Sequence, residues 1–520
     1  MTAAVNRVDA SLPSGVDGRL LLIIGGLAAL SLAVNFVTGG EILAVLGVLI
    51  GLGVLGVMWF IPLRWSVSVL LFLCFTLEAP YEAFGLYIFR TPWSIVGTIM
   101  LGNLNIVTHV PALLFTGFDV TVAYLFIINW YRRSHGVTMD SAGNTPVARP
   151  LLTGISISLS TMAVMVAVGL GTGATVIGAL LQIQKLVLSV VFFGILHAAY
   201  RGRRDLPTLA RILIFAALYR AVMAIYIHRT MRMEDGSPFP CATTHADSSL
   251  FAAAVVLLLI LRNEEVKGSS HWSRLLAALV ILYGIVCNGR RLAWVQIAGS
   301  LIIVALMSPW TTLKRRIARV VIVSLPLIGL YIGAGWNNTG SSIFKPVKTM
   351  RSILDSKSDG STEWRDLENM NLVKNISDHP FFGTGYGHEY IEYIILPSVA
   401  DAYPRFKLAP HNSLIAFVVF AGPGGWAGTF AMVVATVFLA ARTYRRSRDP
   451  DVRAACMICV VLVFLFLQMT YGDIGVTLWM TTITLGPAMM LAGKLAISSG
   501  AYPYKPKARA TSLPAGVGAA

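Results

Sequence analysis

The chain has 520 residues, of which 56% are hydrophobic and only 13% are charged, and its mean hydropathy is +0.71. Soluble globular domains carry about 25% charged residues, so this composition excludes an ordinary soluble protein. The net charge of +16 would suit a nucleic-acid-binding protein, but the arginines flank apolar runs instead of alternating with aromatic residues, which argues against that class. The sequence therefore predicts a membrane protein.

Apolar runs long enough to cross a bilayer recur along nearly the whole chain. The first run, 20–38, follows a polar head without a small-residue cleavage site, so we interpret it as a retained span and not as a removed signal peptide. The predicted spans are 20–38, 42–61, 65–79, 112–130, 151–168, 174–199, 206–226, 247–261, 274–287, 291–308, 318–335, 424–441, 454–470 and 474–493. Since 65–79 and 247–261 are short for a full crossing, we expect about 12–14 spans and an all-α fold, a polytopic helical bundle.

Short clusters of basic residues indicate how these spans are oriented. Each cluster lies at helix ends, where an excess of Lys and Arg marks the cytoplasmic side of a membrane protein. The clusters are Arg132, Arg133 and Arg149; Arg201, Arg203, Arg204 and Arg211; Lys314, Arg315, Arg316 and Arg319; and Arg442, Arg445, Arg446, Arg448 and Arg453. With all of them in the cytoplasm, both termini are predicted to be cytoplasmic, and the segments 80–111, 227–246 and 336–423 face outward.

The third outward segment is the longest, and it divides the chain into predicted parts. We expect a transmembrane bundle over 1–335, a large extracytoplasmic loop over 336–423, further spans over 424–493 and a cytoplasmic tail over 494–520. Long loops are where membrane-embedded scaffolds carry binding and catalytic residues. We therefore expect the loop to carry the catalytic and binding residues.

A three-residue repeat of apolar side chains predicts a helix within this loop, from Thr362 to Ser377. The repeat consists of Trp364, Leu367, Met370, Val373 and Ile376, with Ser361 and Thr362 in front as cap candidates. Polar residues separate these positions, which is typical of an amphipathic helix. We expect this helix to lie on the outer surface of the bundle.

Three motifs hold most of the residues that could carry chemistry. They are Arg291-Leu292-Ala293-Trp294 at the start of a span, Arg365 ahead of the turn Pro380-Phe381-Phe382-Gly383-Thr384-Gly385, and His411-Asn412-Ser413-Leu414 followed by Gly422, Gly425 and Gly428. In order, spacing and outward placement, this set resembles the O-antigen ligase and polymerase superfamily of bacterial membrane glycosyltransferases, over about 280–430. One departure is the pair Arg290-Arg291, where the family more often has Ser-Arg, so either arginine could face the site.

The resemblance implies a metal-independent membrane glycosyltransferase without cofactors, located in the bacterial inner membrane and active on its periplasmic side. Its donor would be a glycan on undecaprenyl pyrophosphate. Its acceptor would be a sugar hydroxyl on lipid A-core or on a growing glycan, as in exopolysaccharide and lipopolysaccharide synthesis, or a protein. Ligase, polymerase and protein glycosyltransferase share the motifs, so the sequence leaves these three open.

The resemblance also implies roles for particular residues. His411 would be the general base, since a histidine near pKa 6.5 is mostly neutral at pH 7 and can accept a proton. Arg291 and Arg365 would neutralise the departing diphosphate, because guanidinium forks bind phosphate oxygens two at a time. The rest of the predicted donor site consists of Arg290, Gly383, Gly385 and Asn412. With arginines in these roles, no metal is required.

Other interpretations of the same residues stay open. His411 could be an interfacial histidine, Arg290 and Arg291 could anchor a helix in the headgroups, and Arg365 could lie on a solvated face. Lys185 and Arg220, inside spans, could contact a lipid carrier or buried partners. His228, Arg229, Arg232 and His245 could contact either substrate or only solvent. The competing functional class is a transporter or flippase of lipid-linked glycans, but such proteins bind at the bilayer midplane, between repeated halves.

Overall fold

The structure is a computed structural model that describes residues 53–78, 81–83, 86–88, 91–104, 115–136, 146–233, 235–236, 239, 241–268, 270–310, 312–338, 344, 347, 351, 360–397, 405–473 and 475–503. Predicted span 20–38 and most of 42–61 lie outside these residues, as does most of the predicted tail. The described part of the chain is nearly all helical, which confirms the all-α membrane bundle.

Fifteen helices follow one another in the described residues. They are α1 Leu63–Thr76, α2 Pro92–Leu101, α3 Gly117–Ser134, α4 Arg149–Gly171, α5 Val176–Ala199, α6 Leu206–Thr230, α7 His245–Asn263, α8 His271–Asn288, α9 Arg291–Met307, α10 Thr312–Trp336, α11 Gly360–Asp378, α12 Ser413–Thr429, α13 Ala431–Arg446, α14 Pro450–Gly472 and α15 Trp479–Ser498. Short 3-10 turns lie at Arg203–Asp205 and Gly475–Thr477. One small hairpin, β1 Tyr81–Ala83 with antiparallel β2 Leu86–Ile88, interrupts the helical pattern in the first outward segment.

Nine stretches of the described residues are long and apolar enough to cross a membrane: α4, α5, α6 with its preceding turn, α7, α8, α10, α12 with α13, α14 and α15. Helices α1 and α9 are apolar but shorter. Each predicted span from 65–79 onward therefore overlaps an observed helix. The C-terminal part differs at one boundary, because α12 begins at Ser413, inside the range predicted as loop.

The centre of the bundle is formed by helices that are buried on nearly all sides. Within their apolar stretches, 89% of the residues of α15, 72% of those of α7 and 67% of those of α14 are buried. Helices that are apolar all round belong in the interior of a membrane bundle. By contrast, α10 buries none of its apolar stretch and therefore lies at the periphery.

The bundle has one end rich in basic residues, as the charge pattern predicts. Arg64 Nη2 lies 2.7 Å from Asp205 Oδ1, which joins the start of α1 to the start of α6. Arg453 Nε donates to Glu264 Oε2 at 2.5 Å, which joins the start of α14 to the end of α7. We call this the basic end. The connections that lead from α4 to α5, α6 to α7, α8 to α9 and α14 to α15 lie at the other end, called here the opposite end.

Candidate functional site

The opposite end gathers ionisable side chains from five separate parts of the chain. They are His245 at the start of α7, Arg290 just before α9, Asp473 just after α14, His411 just before α12, and Arg365 with Glu368 on α11. Arg365 and His411 lie close enough for their charges to act on His245. Three of the predicted site residues, Arg290, Arg365 and His411, thus lie near His245.

Arg290 is held against the start of α7 by two hydrogen bonds. Its Nη1 donates to His245 Nε2 at 2.5 Å, and its Nε donates to the Thr243 carbonyl at 2.8 Å. The Asn288 side-chain oxygen also accepts from the backbone and the hydroxyl of Thr243, both at 2.9 Å. The start of α9 and the start of α7 are therefore fixed to each other. Asp473 Oδ2 lies 3.9 Å from His245 Nε2.

His411 has a buried carboxylate for a neighbour. Glu368 is fully buried, and its Oε2 accepts from the His411 backbone N–H at 3.0 Å and lies 3.4 Å from His411 Nδ1. The Trp364 ring meets the imidazole edge to face, with 5.0 Å between ring centroids. The imidazole is still 24% exposed. Its position is thus fixed on one side while the other can reach a substrate.

Tyr390 lies near the same carboxylate and stays protonated. Burial, together with the charges of Glu368 and Glu392, raises the pKa of the Tyr390 hydroxyl. The side chain is 2% exposed. Tyr390 therefore contributes a neutral, rigid wall to the pocket around Glu368.

Helix α11 confirms the predicted helix but buries a different face. Met370 and Val373, two members of the apolar three-residue repeat, are 57% and 54% exposed. The buried positions are Glu368, Asn371, Leu372 and Asn375. A helix has 3.6 residues per turn, so a strict three-residue repeat drifts around it, whereas the buried set recurs at steps of three and four.

The two asparagines on the buried face of α11 hold the next part of the loop. Asn371 Oδ1 accepts from the backbone N–H groups of Tyr393 and Ile394, at 2.9 and 2.7 Å. Asn375 Oδ1 accepts from Ile391 N–H at 2.9 Å. A buried amide side chain that replaces a strand partner in this way fixes irregular backbone. The stretch from α11 to Ile394 is therefore folded on itself, and Glu368 belongs to it.

The glycine turn after α11 is packed into the bundle. Gly385 has φ +88°, and a Cβ there would lie 2.3 Å from the Gly169 backbone, so only glycine fits. Its N–H donates to the Phe420 carbonyl at 2.7 Å, and the Gly383 N–H donates to His379. The backbone groups of Gly383 and Gly385 are thus used within the protein. In the structure these two glycines pack against the end of α4 and the bend of α12.

Asn412 is the N-cap of α12. Its side-chain oxygen accepts from the Ile415 N–H at 3.2 Å, and the residue is 3% exposed. Ser, Thr, Asp and Asn are the residues that best satisfy a free N–H at a helix start. Asn412 therefore fixes the point at which α12 begins, and His411 with it. Further along α12, Gly422 has φ +65° and Pro423 follows, which bends the helix around the glycine turn.

The two remaining arginines differ in what surrounds them. Arg365 is half-buried and makes no hydrogen bond or ion pair with any residue that the structure describes. Arg291 is the first residue of α9 and is also half-buried. Of the pair, Arg290 is the one whose guanidinium contacts His245. The cluster around His245 therefore includes Arg290 and Arg365, and Arg291 is the next residue after Arg290 in the chain.

The ionisable residues inside spans have buried partners. Lys185 pairs with Asp119, and Arg220 binds Asp247 with two hydrogen bonds, from Nε at 2.8 Å and from Nη2 at 2.6 Å. Of the outward segment before α7, Arg229 donates to Tyr283 and Arg232 to backbone carbonyls. For Lys185 and Arg220, the structure thus shows the alternative with buried partners. Of His228, Arg229, Arg232 and His245, only His245 has a described hydrogen bond to Arg290.

Two residues of the site were not found by reading the sequence. Glu368 follows Arg365 by one helical turn, so an Arg-x-x-Glu spacing on the predicted helix was an available signal. Asp473, an acidic residue at the end of a long apolar helix, was another. In the described part of the chain, no group of three or more His, Cys, Asp and Glu residues could hold a metal ion. The loop carboxylates Asp355 and Asp359 lie outside that part.

Comparison with known proteins agrees with the motifs. Residues 276–430 match a protein-family model described as O-Antigen ligase. The match begins in α8, ends with α12, and includes Arg290, Arg365, Glu368 and His411. A search of curated proteins finds no match to the chain. The matched part of the chain, residues 276–430, is thus similar to the O-antigen ligase family, and this similarity points to a glycan-transferring enzyme of the membrane.

Proposed function

We propose that this protein transfers a glycan from undecaprenyl pyrophosphate to the hydroxyl of an acceptor sugar, and that the reaction takes place at the opposite end of the bundle. The observation that carries the proposal is the meeting of His411, Arg290 and Arg365 around His245. These residues come from distant parts of the chain, so the arrangement is a product of the fold. A histidine beside a group of cations is what transfer with an anionic leaving group requires.

His411 acts as the base in this proposal. With Nδ1 turned towards Glu368, the ring presents Nε2 to the acceptor hydroxyl and takes its proton. The acceptor oxygen then forms a bond to the anomeric carbon, while the bond from that carbon to the diphosphate oxygen breaks. The buried carboxylate of Glu368 stabilises the imidazolium and keeps the ring in one orientation, the role that an acidic residue has behind a catalytic histidine.

The diphosphate oxygen keeps the electron pair of the broken bond, and Arg290 and Arg365 stabilise the negative charge that results. Neither forms an ion pair with a carboxylate among the described residues, so their charge is available for an anion. A fixed guanidinium stabilises charge that grows as the bond breaks without having to reorganise. Arg291 and the amide of Asn412 complete the proposed donor site. Gly383 and Gly385 support it from behind, by placing the loop against α4 and α12.

The proposed orientation places the basic end in the cytoplasm and the opposite end in the periplasm of a bacterial inner membrane. Ser377 is exposed on α11 and Arg448 is exposed at the basic end. In a background without the five native cysteines, Ser377→Cys in intact spheroplasts should react with an impermeant maleimide, and Arg448→Cys should react only after lysis. Reaction of Arg448→Cys alone would reverse the orientation.

The proposed activity is tested with purified protein in lipid nanodiscs or vesicles. A polyprenyl-diphosphate-linked glycan with a label on the sugar is mixed with an acceptor glycan, and lipid-bound and acceptor-bound label are separated. We expect label to pass to the acceptor in nanodiscs, which have no closed compartment. Label that stays on the lipid but crosses the membrane of sealed vesicles would instead identify a flippase.

The acceptor class is tested in a deletion strain. Accumulation of full-length glycan on the lipid carrier would identify a lost ligase, which hands finished chains to lipid A-core. Accumulation of single repeat units would identify a lost polymerase. Unchanged lipid-linked glycans with an unglycosylated protein would identify a protein glycosyltransferase.

A further inference from the structure

A cavity of about 760 Å³ lies in the basic half of the bundle, far along the helices from the candidate site. Helices α1, α6, α7, α8, α14 and α15 form its walls, and none of the site residues lines it. The walls are mostly leucine, isoleucine, alanine and phenylalanine, as at Phe75, Leu218, Leu257 and Ile483. Sites that enclose small molecules typically measure about 300–1,000 Å³ and are mainly apolar. The cavity is of that kind.

The depth of the cavity corresponds to one leaflet of a bilayer. Its wall on α6 runs from Leu206 to Leu218, and its wall on α14 runs from Asp451 to Leu462. At a rise of 1.5 Å per residue, these stretches are roughly 16–18 Å long. The hydrocarbon core of a bilayer is about 30 Å thick, so the cavity extends from the basic end to about the midplane.

The rim of the cavity at the basic end is cationic. Arg211 and Lys267 are exposed there and make no hydrogen bond or ion pair with a described residue. Arg274 donates to the carbonyls of Leu261 and Val266, at 3.2 and 2.7 Å, and so closes the wall between α7 and α8. One carboxylate, Asp451, lies on the same rim. Arg211 and Lys267 are thus available to bind an anionic group at the rim of the apolar cavity.

We propose that this cavity binds an anionic glycerophospholipid of the leaflet at the basic end. One acyl chain fills the interior between α6 and α14, and the phosphate lies between Arg211 and Lys267. Basic pockets between membrane helices recognise anionic headgroups in this way, because each nearby cation adds to the attraction. A lipid held here would support the packing of α6 and α8 against the centre of the bundle, which otherwise encloses an empty space.

The experiment is a titration of detergent-purified, full-length protein with phosphatidylglycerol, read by native mass spectrometry and by thermal melting. Phosphatidylcholine with the same acyl chains serves as the neutral comparison, and glycerol phosphate as the headgroup alone. We expect one phosphatidylglycerol per chain, with affinity at least about tenfold above phosphatidylcholine. We also expect a higher melting temperature with phosphatidylglycerol and no effect of glycerol phosphate.

Two kinds of variant separate the rim from the interior. Arg211→Glu with Lys267→Glu should lose the preference for phosphatidylglycerol, whereas Arg445→Glu, an exposed change at the same end but outside the cavity, should keep it. Ala210→Phe with Ala277→Phe should fill the interior and exclude both lipids. Equal binding of both lipids by wild type, or unchanged binding by the filled variant, would overturn the proposal. So would stronger binding of a polyprenyl phosphate than of phosphatidylglycerol, because the occupant would then be the lipid carrier.

Discussion

Two groups of buried or half-buried charges in this protein are built in opposite ways. In the span-embedded pairs, Lys185 with Asp119 and Arg220 with Asp247, each cation meets one carboxylate, and all four side chains are at most 8% exposed. At the opposite end, Glu368 lies beside His411 and Asp473 near His245, while Arg290 and Arg365 form no ion pair with a described carboxylate. In the first group each positive charge is neutralised by a carboxylate, whereas the second group keeps positive charge that no described carboxylate neutralises.

The difference follows from what each group has to do. A charge removed from water is costly, so a structural ion inside a bundle needs a partner with complete hydrogen bonding. A binding site for an anion has to leave its cations without such a partner until the ligand arrives, and it can do so only where water or headgroups still reach. Arg365 is half-buried and His411 is 24% exposed, which meets this condition.

The largest effect is expected for His411→Ala. Loss of a required general base typically costs 10²–10⁴-fold, so glycan transfer should fall by about that factor while donor binding and membrane insertion persist. The measurement is turnover with a labelled lipid-linked donor, alongside a separate donor-binding assay. His388→Ala is the matched control, because His388 lies in the same loop and contacts Thr172 and not Glu368. If His411→Ala keeps more than about a tenth of the turnover, His411 is not the base.

Substitutions in the span-embedded ion pairs should lower the stability of the protein. Arg220→Met leaves Asp247 as a buried, uncompensated charge, and we expect a loss of about 3–5 kcal/mol in the free energy of unfolding. The measurement is the thermal or denaturant midpoint in detergent. Arg220→Met with Asp247→Asn removes both charges and keeps an acceptor for the Thr244 cap, so it should recover most of the loss. An Arg220→Met protein of normal stability but without donor binding would place Arg220 in the substrate path.

The helices were predictable because bilayer thickness imposes a length that apolar runs reveal directly. Spans such as 151–168 and 206–226 correspond to α4 and α6, with ends that differ by a few residues. The start of α12 was predicted wrongly, at 424 and not at Ser413. Gly422 and Pro423 suggest the beginning of a helix, but in the structure they form a bend inside one. Propensity alone does not distinguish the end of a helix from a kink.

The site was predictable in its residue types but not in its contacts. His411 and Arg365 stand in recognisable motifs, yet nothing in the sequence pairs Glu368 with His411, since they are separated by the glycine turn. The apolar repeat on α11 drew attention to Met370 and Val373, whereas the buried face carries Glu368 and two asparagines whose partners come from later in the loop. Tertiary hydrogen bonds of this kind leave no periodic signal.

Glu368→Gln tests the contact that the sequence did not reveal. The change keeps the size of the side chain and removes its charge, so an imidazolium formed during the reaction would lose a carboxylate that lies 3.4 Å from its Nδ1, and contacts of this charged kind are worth about 1.5–3 kcal/mol. We therefore expect turnover to fall by about 10- to 100-fold, with donor affinity unchanged. The pH dependence of turnover is measured alongside, because the substitution removes a carboxylate that lies 3.4 Å from His411 Nδ1. A turnover and pH profile equal to wild type would leave Glu368 with a structural role alone.

A smaller effect is expected for Arg290→Lys. The lysine keeps the charge but loses the fork that reaches the Thr243 carbonyl and His245 together, and we expect about tenfold weaker use of the donor. Arg291→Lys is the matched comparison, one residue away, and should be milder, because Arg290 is the arginine whose guanidinium contacts His245. The measurement is kcat/KM for the lipid-linked donor. The reverse ranking would show that Arg291, the arginine of the sequence motif, faces the diphosphate.

The smallest effect is expected from removal of divalent metal. Arg290 and Arg365 supply two guanidinium groups for the leaving diphosphate. In enzymes that bind diphosphates through carboxylates, Mg²⁺ or Mn²⁺ has this task. Purified protein should therefore transfer glycan at an unchanged rate in excess EDTA. The informative comparison is Arg365→Ala with and without added Mg²⁺: if arginine and metal are interchangeable in this role, metal should restore part of the lost rate only in the variant. Loss of wild-type activity in EDTA, with recovery on adding Mg²⁺ or Mn²⁺, would show that carboxylates such as Glu389 or the loop residues Asp355 and Asp359 hold a metal, and that the positive charge of the cluster serves another ligand.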